Sequence, residues 1–383
     1  MRPIATSRRT APKDRTVANL FDPFALLDLT LPNRIVMSPM TRTRATEDDV
    51  PTDLMGDYYV QRASAGLIVT ECTQVSDQAH GIIRAPGMHR PDQVEAWQRI
   101  VDRVHAVNGR IVCQLWHCGR VSHPDIRGGA LPVAPSAIAA KGDFYLPSGR
   151  PSGRVDFPTP RELGLDEIPA IIEDFASATR MAKAAGFDGV ELHGAFGYLQ
   201  DQFLQDGSNQ RTDSYGGSVA NRARFMIETV EAMTGAWAPG RVGVRLSPSS
   251  RFYGMFDSDA RATFGYVVTA LNAMKVAYLH LREPTTGDLM SGTVQIDHVA
   301  RTFRPMISVP VIVNTAFDRP KADAVIEAGD ADMVAFGVPF IANPDLPERY
   351  RRAAPLNKPD PSTFYGVGPK GYTDYPTLDE ASI

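Results

Sequence analysis

Residues 186–204, GFDGVELHGAFGYLQDQFL, decide the fold class of this 383-residue chain. Residues 186–192 have the apolar character of a short strand that is buried on both faces. His193 and Tyr198 follow directly, with Phe196 between them and glycines at 194 and 197. An α/β barrel carries its catalytic side chains on the loops that follow buried strands, so this segment predicts an active site at a strand end.

Apolar runs with β-branched residues recur along the chain and alternate with segments of helical periodicity. The predicted strands cover residues 34–40, 66–75, 110–116, 186–193, 242–246, 276–281, 309–314 and 332–337. The predicted helices cover residues 93–108, 168–185, 219–234, 260–274, 296–303 and 321–328. Eight strands that alternate with helices predict an α/β fold of the (β/α)8 TIM barrel type.

Two segments lie outside this alternating pattern. We expect residues 1–19, which are basic and contain proline, to form a disordered tail, and residues 20–383 to form a single barrel domain. The interval 119–165, after the third strand, is rich in Gly and Pro and too long for a simple connection. It predicts a hairpin lid inserted over the barrel mouth.

The composition disfavours several classes of partner. A net charge of −4 gives no electrostatic basis for binding nucleic acid or an anionic membrane surface. The apolar runs are too short to span a bilayer, and the N-terminus lacks the apolar stretch of a secretory signal. Three cysteines in or beside strands do not favour a disulfide framework. We therefore predict a cytoplasmic protein whose partner is a small molecule, and the oligomeric state stays open.

A cluster of cysteines and histidines near the third strand does not predict a metal site. Cys113 and Cys118 are five residues apart, so they point to opposite faces of a strand. No metal is therefore expected. No glycine-rich dinucleotide fingerprint follows a strand either, so a nicotinamide coenzyme would bind transiently at the barrel mouth.

Polar residues stand at the predicted carboxyl ends of five strands. Residues 38–41 end the first strand and residues 71–74 the second, while Gln114, His193 and Arg245 lie on the third, fourth and fifth. Polar groups that converge from five strands indicate a ligand with several hydrogen-bonding edges.

These positions resemble the old yellow enzyme family, flavin-dependent reductases of activated C=C bonds, over nearly the whole chain. Beside the 186–204 segment, the resemblance rests on NRIVMSPMTRTR (33–44), LMGDYYVQRASAGLIVTECTQVS (54–76), QLWHCGRVSH (114–123), SNQRTDSYGGSVANRARF (208–225), VAFG (334–337), IANPDL (341–346) and FYGVGPKGYTDYP (364–376).

The resemblance implies a set of residues that would line the isoalloxazine ring of FMN, which is reduced by NAD(P)H. These residues are Pro39, Met40, Thr41, Cys72, Gln114 and Arg245. Within the set, Arg245 would neutralise charge at the N1/O2 edge and Thr41 would tune O4.

The resemblance also implies roles toward a carbonyl substrate. His193 would donate to the carbonyl oxygen, Tyr198 would protonate Cα after hydride arrives at Cβ, and Trp116 and Tyr365 would border the substrate. Phe196 stands where the family has a second His or an Asn. Loss of one such donor typically costs about 10²–10³ in rate, which would weaken ene reduction without excluding it. Phe196 could equally fill space for a bulkier substrate.

A second departure lies where barrels bind phosphate, between the loops after strands 7 and 8. The end of strand 7 carries Asn314 and Thr315 without a glycine, and Gly337 is followed by Val338 where the family has an arginine. A buried charge without its partner costs roughly 3–5 kcal/mol. We therefore expect a degraded phosphate corner and no retained cofactor, or else a weakly held FMN.

Three functions from different classes remain. The favoured one is a redox-neutral isomerase, epimerase or cyclase acting on an α,β-unsaturated or 1,3-dicarbonyl compound, with His193 on the oxygen and Tyr198 moving a proton at carbon. Because a tyrosine with a pKa near 10 is a poor base, Arg245 or a protonated His193 would have to assist it. The alternatives are an FMN-dependent NAD(P)H ene reductase and a non-catalytic binding protein on the same fold.

Overall fold

The computed structural model describes residues 18–26, 28–146, 153–238 and 240–380. Most of the predicted basic tail lies outside these residues. The chain begins with an antiparallel hairpin of Phe24–Leu26 with Leu29–Leu31. Eight parallel strands then form a closed barrel. They are β1 (Ile35–Met37), β2 (Leu67–Val69), β3 (Ile111–Trp116), β4 (Gly189–Gly194), β5 (Val242–Leu246), β6 (Leu279–Arg282), β7 (Val311–Asn314) and β8 (Met333–Phe336).

Each barrel strand pairs with its neighbours in sequence, and the pairing of the last strand with the first closes the ring. β8 pairs with β1 through Val334 and Ile35, and a two-residue strand, Thr73–Gln74, extends the β2 side by pairing with the end of β3. This arrangement confirms the predicted (β/α)8 barrel and puts all eight carboxyl ends at one mouth.

Helices surround the barrel. They are α1 (Asp53–Gln61), α2 (Pro91–Ala106), α3 (Ile168–Ala184), α4 (Leu199–Leu204), α5 (Val219–Ala236), α6 (Ala260–Ala273), α7 (Thr286–Met290), α8 (Val299–Phe303), α9 (Arg319–Glu327), α10 (Val338–Ala342) and α11 (Leu346–Arg351). Polar caps fix several N-termini: the Ser218 hydroxyl accepts from the Asn221 N–H, and the Asp259 carboxylate accepts from the Ala262 N–H.

The core has two layers, one between the strands and the outer helices and one inside the barrel. Leu26 and Leu31 of the N-terminal hairpin pack against the inner layer and cover the end of the barrel away from the mouth. Inside, Gly243 is required because a Cβ there would lie 2.4 Å from the Tyr278 ring. Buried strands of this kind are near-continuously apolar, which is why they could be recognised in the sequence.

The interval after β3 contains a hairpin of Asp143–Leu146 with Gly153–Asp156, as the predicted lid requires. Its tip falls outside the described residues. Phe144 packs edge-on against Phe157 at 5.9 Å, and Phe157 contacts Tyr253 of the loop after β5 at 5.6 Å. The hairpin therefore stands beside the barrel mouth.

The C-terminal segment after α11 folds back onto the mouth. The Arg42 guanidinium donates to the carbonyls of Phe364 and Gly371, both at 2.7 Å. The Tyr372 ring stacks on Tyr58 of α1 at 4.0 Å. These contacts hold Phe364 and the residues that follow it at the edge of the barrel mouth.

Candidate active site

A cavity of about 420 Å³ opens at the carboxyl ends of the barrel strands. Every sequence-predicted site residue except Trp116 and Thr315 lines it. The lining residues are Ser38, Pro39, Met40, Thr41, Arg42, Cys72, Ile82, Gln114, His193, Phe196, Tyr198, Arg245, Phe252, Tyr253, Asn314, Gly337, Val338, Ile341, Phe364 and Tyr365. We call the part lined by Pro39–Thr41, Cys72, Gln114 and Arg245 the ring end, and Asn314, Thr315, Gly337 and Val338 the phosphate corner.

A chain of buried hydrogen bonds fixes the floor of the ring end. The Gln114 amide donates to the Glu191 carboxylate at 2.6 Å, and the other Glu191 oxygen lies 2.9 Å from His280 Nδ1. The Cys72 thiol donates to Gln114 Oε1 at 3.3 Å. Burial alone would raise the pKa of Glu191, but His280 and Arg245 together hold it below its ordinary value. The Gln114 amide is therefore held in one orientation.

Arg245 brings a cation to the ring end. Its side chain is buried, and its Nε has no hydrogen-bond partner within the described part of the chain. The guanidinium lies 4.9 Å from the centre of the Phe196 ring. A buried donor without an acceptor is costly, and a bound ligand that accepts from it would remove that cost.

His193 presents a neutral N–H to the cavity. The Ala195 N–H donates to His193 Nδ1 at 3.3 Å, which assigns the proton to Nε2. Burial, with the Arg245 cation nearby, lowers the pKa of His193 well below 6.5. The imidazole is therefore a neutral hydrogen-bond donor, because the positive charge of Arg245 would repel a second proton on it.

The loop after β4 turns sharply to bring Tyr198 back toward His193. Phe196 and Gly197 both adopt left-handed backbone, with φ of 58° and 77°. The Phe196 N–H donates to Ser247 Oγ at 2.8 Å, and the Gly197 N–H donates to Asp201 Oδ2 at 2.9 Å. Tyr198 is the N-cap residue of α4 rather than part of a longer loop.

The Tyr198 ring packs among other aromatic rings. It lies edge-on to His193 at 4.9 Å and to Trp116 at 5.0 Å. Burial raises the pKa of Tyr198 well above 10, with further contributions from Tyr253 and Cys72. Its hydroxyl is therefore protonated at neutral pH, so the group is arranged as an acid.

Two predicted substrate residues differ in position. Trp116 is fully buried and does not line the cavity, because the Tyr198 ring packs against it. Trp116 supports the Tyr198 ring, and its predicted place at the border of the substrate stays a prediction. Tyr365 does line the cavity and is 66% exposed at its rim.

The phosphate corner has little charge of its own. Thr315 and Ala316 have φ of 90° and 58°, a backbone conformation that favours glycine. Val338 begins α10 and is 49% exposed. The Lys321 ammonium donates to the Ala316 carbonyl at 3.2 Å, and Asn314 Oδ1 is buried without a partner among the residues described. Whether the corner holds a phosphate weakly stays a prediction.

Among the residues at the mouth that the sequence analysis missed are Phe252, Tyr253 and Arg282. Phe252 and Tyr253 lie in the loop after β5, whose length was the available signal. Arg282 ends β6, one residue beyond the predicted strand, and pairs with Asp288 at 2.7 Å. Its guanidinium lies 5.2 Å from the centre of the Phe196 ring, and Phe196 is the residue that stands where the family has a second hydrogen-bond donor. A charged residue that ends a buried strand was the signal for it.

A second cavity of about 700 Å³ lies under the lid hairpin. It shares Ile82, Tyr198, Tyr253 and Tyr365 with the first cavity. Within the described residues, no cluster of His, Cys, Asp and Glu could hold a metal ion, and no helix is long and apolar enough to cross a membrane.

Comparisons with known proteins place this geometry among flavin enzymes. Residues 19–357 match the NADH:flavin oxidoreductase / NADH oxidase family. 12-Oxophytodienoate reductase 1 of Oryza sativa subsp. japonica is 43% identical over 364 residues, which cover 94% of this chain and 93% of that protein.

Solved structures agree with the sequence match. Morphinone reductase in complex with tetrahydroNAD superimposes with a TM-score of 0.88 at 45% identity, covering 96% of this chain and 99% of that one. The old yellow enzyme homologue from Zymomonas mobilis gives a TM-score of 0.90 at 41% identity, covering 94% of this chain and 100% of that one. The resemblance found in the sequence is therefore confirmed.

Proposed function

The chain belongs to the NADH:flavin oxidoreductase / NADH oxidase family, and on this premise we propose that it is an FMN-dependent ene reductase. It would use NAD(P)H to reduce the C=C bond of an α,β-unsaturated carbonyl compound. This activity was the alternative in the sequence analysis. The comparisons favour it over redox-neutral chemistry, which they do not support, and they favour FMN over the expected lack of a cofactor.

The observation that carries the proposal is that two hydrogen-bond donors, a neutral imidazole N–H and a phenol O–H, face the same cavity. His193 and Tyr198 have ring centres 4.9 Å apart and line the same space. The neutral His193 Nε2–H would bind the carbonyl oxygen, and the Tyr198 hydroxyl would give its proton to Cα. Both groups donate, which suits a substrate that gains a proton as its oxygen becomes more negative.

The same protonation states count against the redox-neutral alternative. Proton abstraction from carbon needs a base, and the raised pKa of Tyr198, caused mainly by burial, keeps the phenol protonated. A protonated His193 was one of the two cations considered as assistance, but burial and Arg245 lower its pKa. Arg245 remains as the other cation that could assist Tyr198, but its guanidinium lies against the Phe196 ring.

The ring end fits an isoalloxazine. Arg245 offers a buried guanidinium whose Nε has no partner among the described residues, Gln114 offers a fixed amide, and Pro39 and Met40 offer apolar contact. Thr41 and Cys72 would complete the ring contacts, and Asn314, Thr315, Gly337 and Val338 would lie at the phosphate. When bound, FMN would supply hydride transfer between NAD(P)H and the substrate.

Phe196 removes one hydrogen bond from the carbonyl oxygen but brings two cations close. Arg245 and Arg282 lie 4.9 and 5.2 Å from its ring centre. Asp288 offsets the charge of Arg282, so the positive potential that favours negative charge on a nearby oxygen comes mainly from Arg245. This potential acts more strongly in a buried site than in water. We therefore expect His193 to be sufficient as the single hydrogen-bond donor.

The test is reduction of 2-cyclohexenone by the purified protein with FMN and NAD(P)H, together with the visible spectrum of the protein. We expect a flavin band and turnover. Tyr198→Phe should lower enone reduction by about 10²–10⁴ because a general acid is lost, while NAD(P)H oxidation by dioxygen continues. Tyr266→Phe, an exposed tyrosine on α6, is the matched control. A protein that stays colourless with excess FMN and leaves the enone unreduced would contradict the proposal.

A further inference from the structure

Glu191 is a carboxylate of β4 that lies beneath the ring end and that the proposed reaction does not use. Its side chain is fully buried, and so is that of His280 on β6, whose Nδ1 lies 2.9 Å from Glu191 Oε2. A charged group inside a protein is costly unless it is paired and hydrogen-bonded. The contacts that stabilise this carboxylate therefore indicate its role.

The register of the barrel strands explains how Glu191 contacts two partners. Glu191 pairs with Gln114 of β3 in the parallel ladder, so their side chains lie side by side on one face of the sheet. On the other side, Glu191 pairs with Gly243 of β5. Because Gly243 has no side chain, the Glu191 carboxylate can reach across β5 to His280 of β6.

The partners of Gln114 fix which way its amide faces. An ionised carboxylate only accepts, so the Gln114 nitrogen faces Glu191 Oε1, at 2.6 Å. On the other side, the Cys72 thiol donates to Gln114 Oε1 at 3.3 Å. Within the described residues, these two bonds leave one N–H and one carbonyl lone pair of the amide free at the cavity. A donor beside an acceptor complements a ring edge that carries C=O next to N–H, as the pyrimidine part of a flavin does.

Glu191 also affects the charge of the ring end. Arg245 of β5 pairs in register with His280, so the guanidinium and the Glu191–His280 pair belong to neighbouring strands. Arg245 lines the cavity, and its buried Nε has no partner among the described residues. The negative charge of Glu191 offsets part of the positive charge that Arg245 offers to a ligand. Charges act on one another more strongly in a buried site than in water.

We propose that Glu191 is a positioning residue that acts on the bound flavin in two ways. It holds the Gln114 amide with one N–H and one lone pair toward the flavin ring, and its charge offsets Arg245 and so keeps the reduction potential of the flavin low. His280 supports both effects because it holds the carboxylate in place. The inference rests on the proposed function only in that FMN is bound.

The test is the midpoint potential of the FMN-loaded protein, measured by spectroelectrochemical titration with apoprotein in excess, together with the affinity for FMN. Glu191→Gln keeps the size of the side chain and removes its charge. The equilibrium constant for two-electron reduction should rise about 10- to 100-fold because Arg245 is less offset, a shift of about +30 to +60 mV. Glu191→Asp keeps the charge but is too short to hold Gln114. Its equilibrium constant should stay within about twofold, or about 10 mV, while FMN binds about 3- to 10-fold more weakly. Glu231→Gln, at an exposed carboxylate on α5, is the control.

An unchanged potential in Glu191→Gln would overturn the inference. An equal shift in Glu191→Asp would overturn it too, because disturbed packing and not the lost charge would then be the cause. If Glu191→Gln does not fold, Cys72→Ala and Cys72→Ser test the amide orientation. The alanine variant should bind FMN about 3- to 10-fold more weakly, and serine, whose hydroxyl donates, should restore the affinity; equal affinities in the two would overturn the inference.

These measurements need no enone, so they are separate from the test of ene reduction. A parent protein that binds FMN but leaves 2-cyclohexenone unreduced would contradict the proposed reaction, and the potentials would still decide the role of Glu191. A parent protein that binds no FMN would overturn both.

Discussion

At the ring end of the cavity the polar side chains are buried and linked to one another, whereas the phosphate corner combines a buried asparagine, Asn314, with the exposed apolar side chain of Val338. Gln114, Glu191 and His280 form a continuous buried chain with contacts of 2.6 and 2.9 Å. At the corner, Val338 is 49% exposed and Thr315 has a φ of 90°. Beside the corner, the exposed Lys321 side chain donates to the main-chain carbonyl of Ala316.

The difference suggests how the site divides its work. Under the proposed function, the buried and linked ring end would orient the flavin ring, because fixed dipoles act strongly in a buried site. The corner would contribute only to affinity for the phosphate group. Changes at the ring end should therefore affect every flavin equally, and changes at the corner should affect only phosphorylated flavins.

Arg245→Met should give the largest effect on flavin binding. Loss of a buried donor to the ring should weaken the affinity for both FMN and riboflavin by about 10- to 100-fold. Fluorescence titration of the apoprotein with each flavin measures this. Arg301→Met, at an exposed arginine on α8, is the control. A loss confined to FMN would mean that Arg245 acts on the phosphate instead.

Val338→Arg should give a smaller effect with the opposite sign. A guanidinium at the start of α10 would pair with the phosphate and tighten FMN binding about 10-fold. Riboflavin, which has no phosphate, should bind as before. Met290→Arg adds the same charge at a residue that is 82% exposed. If FMN affinity does not improve, the corner is not short of a cation, and the predicted degradation is wrong.

The pH dependence of enone reduction, which depends on His193 and Tyr198, should be the smallest effect. Burial lowers the pKa of His193 and raises that of Tyr198, so neither group titrates between pH 6 and 9. Single-turnover enone reduction should vary by less than about twofold there; it should fall only as acid protonates His193 or as base ionises Tyr198. A titration limb inside this range would contradict these states. Melting temperatures in the same buffers check stability, since burial raises the pKa of Glu71 and Asp201 to about 7.

The barrel could be predicted because its strands are buried on both faces and carry continuous apolar runs. All eight predicted strands are present, and 242–246 matches β5 at both ends. The fourth was predicted to begin at Gly186, but β4 begins at Gly189. Gly186 has a φ of 86° and its N–H donates to the Lys183 carbonyl, so it ends α3 instead.

The site was predictable where a side chain stands at a strand end and less so where a loop brings it in. Gln114, His193 and Arg245 line the cavity because barrel topology places strand ends together. Tyr253 reaches it through a left-handed turn that no periodicity signals. The contact between Trp116 and Tyr198 could not be predicted either, because it depends on the fold of α4. The cytoplasmic location and the single-domain boundaries stay predictions.

The C-terminal segment has a consequence for how the protein is made. Arg42 lines the cavity, and its guanidinium is held by the carbonyl of Gly371, which lies 329 residues further along the chain. A contact of that span forms late, because the loop it closes spans 329 residues. During synthesis all eight barrel strands leave the ribosome before Gly371, the partner of Arg42, emerges. The contact that holds Arg42 at the mouth can therefore form only after the last barrel strand has been made.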